Sequence, residues 1–123
     1  MPVRSLSSSV LKWPEAEAVV AELHRWAEAI GPARKELLRV GYFGSCARGN
    51  WGVGSDLDVI LIVESSPDPF PLRAARWDLS GLPVPCDVLV YTQEEWERIE
   101  RRGHGFGPIR WIWSRALADT RGD

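Results

Sequence analysis

Cysteine is nearly absent. The 123 residues hold two, Cys46 and Cys86, which share neither CxxC nor metal-ligand spacing. The chain therefore offers no disulfide framework and no thiolate metal cage, and a reducing, cytoplasmic setting is expected. Long apolar runs are missing too. Nothing approaches the ~20 residues of a membrane-spanning helix. The opening MPVRSLSSSVLKWPEAE lacks the apolar stretch and small-residue cleavage site of a signal peptide. Asn50 is the only asparagine, Gln93 the only glutamine, and arginine far outnumbers lysine. Scarce thermolabile amides suit a heat-adapted protein, and genomic base composition produces the same bias. A Walker A loop, GxxxxGK[ST], does not occur.

What is present is ordinary in bulk and uneven in detail. A hydrophobic share of 45% and a charged share of 26% suit a globular chain of one domain. The net charge of −2 conceals a segregation: residues 56–97 carry nine acids and two arginines, residues 98–123 six arginines and three acids. The acidic excess fits a cation site or a solvated face. The basic tail has too few charges to indicate direct nucleic-acid binding.

No repeat or linker divides the chain, so residues 1–123 are read as a single domain. Its core spans 37–92, with an N-terminal helix over about 15–30 and a C-terminal helix and tail over 93–123. In the first helix Val19, Leu23, Trp26, Ala27 and Ile30 recur at helical spacing, and Gly31-Pro32 ends it. His24 on this helix has no role beyond packing or solvent contact. Strands are expected at 37–43 (LLRVGYF), 56–63 (DLDVILIV) and 86–92 (CDVLVYT). A short helical turn over 46–50 follows the first, and a helix opened by Pro71 precedes the third. Thr92 with Glu95 forms a capping box for a helix closed by Gly103. A short helix is expected across 108–115, and His104 is placed in a solvent-exposed loop.

The chemistry is concentrated in Gly44–Val63, GSCARGNWGVGSDLDVILIV. Alternate strand residues share a face, so Asp56 and Asp58 project together, ~7 Å apart at Cα. Two carboxylates converging beside an apolar strand raise each other's pKa. A divalent cation would resolve that conflict. Hard oxygen ligands suit Mg²⁺, which keeps waters and completes its shell with substrate phosphates. Asp87 opens the third strand as the pair opens the second, so the three meet only if those strands run parallel. The ~20 intervening residues permit such a crossover. Gly44-Ser45 ends the first strand and reaches the same place only if that strand runs antiparallel to the second. Gly44 allows close backbone approach, Ser45 offers a hydroxyl and an N–H to an anion, and Arg48 one turn on can pair with phosphate. A mixed sheet with flanking helices follows. Taken one at a time, Asp56 could cap a turn, Asp58 could pair with Arg48, and Asp87 could be an edge residue.

The joint pattern, Gly44-Ser45-x-x-Arg48-Gly49, five residues, then Ser55-Asp56-x-Asp58, resembles the signature of the polymerase-β-type nucleotidyltransferase superfamily. Size and the segment CDVLVYT make the chain similar to the minimal nucleotidyltransferases, partners of HEPN-domain proteins. The resemblance covers about 37–92. It implies an α/β (α+β) fold with a polymerase-β-like core. Asp56, Asp58 and Asp87 would be catalytic and would bind two Mg²⁺ ions. Gly44, Ser45, Arg48 and Ser55 would bind a nucleoside triphosphate, taken as ATP. The implied reaction moves AMP to an acceptor hydroxyl on a HEPN partner within a hetero-oligomer, as the antitoxin of a toxin–antitoxin pair.

Larger members of the superfamily carry a further domain for base or acceptor, and here only a short tail follows the core. Two other readings therefore stand beside the first. The chain neutralises its HEPN partner by binding alone, or it modifies a small molecule such as an aminoglycoside. Trp51 either covers a base or packs. Trp111 and Trp113 alternate with Ile112 and either offer a patch to a partner helix or pack on the sheet. Cys46 and Cys86 are small buried fillers.

Overall fold

The computed structural model describes residues 13–116. Helix α1 (Ala16–Ile30) turns its buried stripe of Val19, Leu23 and Ala27 onto one face of a four-stranded sheet. Strand β1 (Leu37–Phe43) runs into a single-turn helix, α2 (Ser45–Arg48), and β2 (Leu57–Val63) follows a glycine-rich loop. The crossover contains α3 (Phe70–Arg73) and a 3-10 turn over Ala74–Arg76. Then come β3 (Cys86–Thr92), α4 (Gln93–Arg102) and β4 (Arg110–Ser114).

The strand order is β3-β2-β1-β4. β1 is antiparallel to β2 and to β4, whereas β2 and β3 are parallel. This is the mixed sheet flanked by helices that the placement of Gly44-Ser45 and the three aspartates requires. β2 sits in the middle and is almost wholly buried, which explains its unbroken LDVILIV. Its residues divide by period two. Leu57, Val59, Leu61 and Val63 face α1, while Ile60 and Ile62 meet Trp96 of α4 on the other side.

The crossover helix is shorter than the RAARWDL segment suggests, and Pro71 lies inside its first turn. What secures this region is Arg73. Its guanidinium donates to both carboxylate oxygens of Glu95, at 2.6 and 3.0 Å, and to the main-chain oxygens of Asp68 and Val90. Glu95 also accepts from the Thr92 N–H in the capping box expected from the sequence. The crossover, β3 and α4 are thereby tied at one point.

Three expectations are corrected. The helix expected across 108–115 is not formed: Arg110–Ser114 make β4, where Trp111 and Trp113 fall on opposite faces of the sheet. A register shift against Val40/Gly41 is the cause. Trp113 joins the α1 side and Trp111 the Trp96 side, so both pack on the sheet. Gly41 makes room, since a Cβ there would lie 2.7 Å from the Trp111 ring. His104 is not a free loop residue either. It stacks on Trp96 and Phe106, at 5.6 and 5.5 Å, and its Nδ1 accepts from the Phe106 N–H. Finally, the single turn of helix after Gly44 starts at Ser45 and ends at Arg48.

The Arg73 guanidinium holds the Glu95 carboxyl well down, at about 2 against an ordinary 4.5. A carboxyl lowered on folding stabilises the native state above its unfolded value and loses that effect as pH falls from about 4.5 to about 2. Urea unfolding at pH 6 and pH 3 should show a wild-type loss that Glu95→Gln lacks in part. Glu95→Ala should cost about 3 kcal/mol at pH 7, because it leaves a buried guanidinium without its counter-charge.

Candidate active site

Three segment ends converge at one edge of the sheet: the C-terminal end of β1 and the N-terminal ends of β2 and β3. Phe43 pairs with Asp58, and Asp58 pairs with Asp87 across the parallel β2–β3 ladder. Residues in register share a face, so Asp58 and Asp87 project side by side. Asp56 lies two residues before Asp58, just outside β2, which begins at Leu57. Asp56 and Asp87 are exposed and Asp58 is half-buried.

Gly44 sits directly beneath this group. Its φ of 74° and ψ of −150° belong to backbone that only glycine adopts readily. A Cβ at Gly44 would overlap the Oδ2 of Asp58. Gly44 therefore serves both the turn into α2 and the seating of a carboxylate. Arg48 N–H donates to the Gly44 carbonyl at 2.9 Å and closes the turn. The Arg48 side chain is exposed, and among the described residues no ion pair joins it to the aspartates. Its positive charge nonetheless offsets part of theirs.

The loop from Gly49 to Ser55 is pinned at two places. The Trp51 indole N–H donates to the Pro14 carbonyl at 3.0 Å, so this ring is spent on anchoring the loop to the start of α1. Ser55 Oγ accepts from the Gly52 N–H, and Ser55 N–H donates to the Gly52 carbonyl, both at 3.0 Å. Its hydroxyl oxygen thus closes the turn. The tip of this loop presents Val53 at 73% exposure.

The electrostatics record the crowding. Burial first, then the charges of Asp87 and Asp56, push the Asp58 carboxyl above its ordinary value, while Arg48 opposes them. Burial, Asp87 and Asp56 likewise push the Cys86 thiol up to about 11, which keeps it protonated and inert. Burial raises Cys46 as well. Both cysteines are half-buried, close to the filler role read from sequence. The donor set at this edge is hard oxygen.

Among the described residues no three His, Cys, Asp or Glu side chains stand together as a ready cage. The aspartates form an open set within electrostatic reach of one another. Such a set fits Mg²⁺, which takes one or two protein carboxylates and fills its shell with water and phosphate oxygens. The raised proton affinity of Asp58 is the conflict that a cation there would relieve.

Residues 32–104 match the family model of the nucleotidyltransferase domain, more than half of the chain and all seven residues singled out at this edge. The chain belongs to that family. A solved structure of a candidate nucleotidyltransferase from Sulfolobus solfataricus is similar at a TM-score of 0.59 and 20% identity, covering 84% of this chain and 91% of that one. At that identity the likeness speaks for the fold. No sequence among curated proteins matches. In this nucleotidyltransferase domain α1 and β4 extend the sheet's packing on either side of the matched region.

Sequence reasoning missed the contact between Gly44 and Asp58 and the Arg73–Glu95 pair. The capping box pointed to Glu95, but nothing in the sequence marks Arg73 as its partner.

Two outcomes follow from the site's geometry. Gly44→Ala should destabilise by about 1–3 kcal/mol, the usual cost of such backbone strain, and displace Asp58; urea unfolding measures the first. Asp58→Asn should raise the Tm at pH 7 in a metal chelator. A carboxyl whose folded pKa is raised loses its low-pH stabilisation as pH climbs through that value, so the ionised form opposes folding. The gain should vanish below pH 3.8, where the ordinary carboxyl is protonated.

Proposed function

We propose that this nucleotidyltransferase domain moves AMP from ATP to an acceptor hydroxyl on a HEPN-type partner protein, as the antitoxin of a two-gene pair. The observation that carries the catalytic part is the pairing of Asp58 with Asp87, with Asp56 two residues ahead and Gly44 under the Asp58 carboxylate. It supports one acidic edge beside one phosphate-binding turn.

Two bound Mg²⁺ ions would acidify the acceptor hydroxyl and neutralise the triphosphate. Asp56 and Asp58 would hold both, and Asp87 would complete one site. Gly44 and Ser45 would present main-chain N–H groups to the triphosphate, helped by the Ser55 hydroxyl. Arg48, exposed one turn on, would pair with a phosphate oxygen. Asp87, exposed at the outer strand, is placed to orient the acceptor hydroxyl and take its proton. A bond forms from the acceptor oxygen to the α-phosphorus, the bond to the bridging oxygen breaks, and pyrophosphate leaves. Positioning and electrostatics supply the rate, with no covalent enzyme intermediate.

α1, α4 and β4 are committed to the two faces and the far edge of the sheet; the HEPN-type partner rests on the motif's resemblance to the minimal nucleotidyltransferases. Trp111 and Trp113 are not the surface for that partner, since both pack on the sheet.

The test is to incubate the chain with Mg²⁺, α-labelled ATP and the HEPN partner. Label should appear on the partner and fall at least about a hundredfold with Asp56→Asn or Asp87→Asn, while circular dichroism shows an intact fold. A tight complex without label would instead favour neutralisation by binding. Label on an aminoglycoside alone would favour the small-molecule reading.

A further inference from the structure

β3 is an outer strand, and its free side is covered unevenly. The Leu57 N–H donates to the Pro85 carbonyl at 3.0 Å. In a parallel ladder this turns the main-chain groups of Pro85 and Asp87 toward β2, and those of Cys86, Val88, Val90 and Thr92 away from it. The far half of that outward row is occupied. The Val90 carbonyl accepts from Arg73 Nη1 at 3.2 Å, and the Thr92 N–H donates to Glu95 Oε1 at 2.9 Å. The near half is open: among the described residues nothing outside the sheet pairs with the outward groups of Cys86 and Val88. These two residues flank Asp87. Edges are ordinarily covered or blunted, and here the cover stops at Val90, short of the acidic site.

A cavity of about 820 Å³ lies along this open window, with Cys86, Asp87 and Val88 in its wall. Its lining also includes Trp77, Leu79 and Leu82. That part of the lining is held in place independently of any ligand. Trp26 packs edge-on against Trp77 at 6.3 Å, and the Arg34 guanidinium lies 3.7 Å from the Trp77 ring centre. The Trp26 indole N–H donates to the Asp78 carbonyl and Arg34 to the Arg76 carbonyl, at 2.9 and 3.0 Å. The charged side chains lining the cavity are Asp78 and Asp87, both acidic.

We propose that the acceptor is an extended polypeptide segment that adds to the open edge of β3 at Cys86 and Val88, with a hydroxyl-bearing side chain beside Asp87 and basic residues flanking it. This rests on the transferase reading above and names its substrate class. The unpaired N–H and C=O groups of two alternate residues are matched by the backbone of another strand. In an added strand the residue opposite Asp87 points to the same face as Asp87 and Asp58. Its neighbours point toward Trp77 and Leu82, which select apolar side chains. The two acids favour a basic segment over an acidic one. A small molecule could satisfy the carboxylates but not the row of main-chain groups.

The experiment uses the full chain and a synthetic peptide, Arg-Val-Val-Tyr-Val-Val-Arg, with a second version N-methylated at its central amides. The plain peptide should bind, with Cys86 and Val88 amides showing slowed hydrogen exchange, and the N-methylated version should bind about tenfold more weakly. Val88→Pro removes one outward N–H and leaves the ladder to β2 intact; it should weaken peptide binding without altering Mg²⁺-dependent ATP binding. If that variant does not fold, Leu82→Glu tests the cavity lining by the same readout. Equal binding of both peptides, protection elsewhere, or no binding at millimolar peptide would each overturn the proposal. So would a concentration-dependent dimer that Val88→Pro abolishes and the peptide fails to compete with, since the edge would then serve a second copy. Peptide bound at this edge with no label transferred from α-labelled ATP would sink the transferase reading while leaving the binding edge standing.

Discussion

The direction of three strands governs this molecule. Because β1 runs against β2 while β3 runs with it, the end of one strand and the beginnings of two others meet at a single edge. Reversing any one of them would separate the glycine turn from the carboxylates, or Asp87 from Asp58. The constraint is topological, and chemistry is placed upon it. The crossover between β2 and β3 must be long enough to return the chain to its starting edge. It is then held by Arg73, which reaches across to α4 through Glu95.

The acidic edge is a place where the fold works against itself. Asp58 is half-buried beside two like charges, and Gly44 adopts a backbone conformation closed to most residues. A structure optimised for stability would keep neither. Buried apolar residues of β2 on both faces, and a rigid tie at Arg73–Glu95, allow that local cost to persist. The crowding of the carboxylates at this edge is of the kind that a cation would relieve. Cys86 lies in the same field as a protonated thiol, so the site has one kind of donor only.

Much of this was legible in the residues. Asp56-x-Asp58 entering an apolar strand, Gly44-Ser45 leaving another, and Asp87 opening a third imply the strand directions. The helix over about 15–30 and the Thr92–Glu95 box followed from spacing and capping. What escaped were features decided by distant partners. RWIWS is too short for its period to distinguish strand from helix, and its two tryptophans part company only because of a register shift opposite Gly41. Trp51 looked able to cover a base because it neighbours the site; the carbonyl that claims it belongs to Pro14, 37 positions earlier. His104 had no visible partner because its partners are rings from Trp96 and Phe106.

β4, the last of the described strands, has a consequence for how the domain assembles. β4 pairs with β1, so residues near 40 wait for residues near 112 before their outer side is closed. During synthesis β1 can find β2 early, and β3 can join by its crossover. Until then Trp113 is missing from the layer beneath α1, where it lies close enough that a Cβ on Gly31 would be 2.5 Å from its ring. The growing polypeptide thus carries an unfinished hydrophobic seam on its first strand, and contacts of such long sequence separation are slow to form. Its closure seals both faces at once, one indole on each.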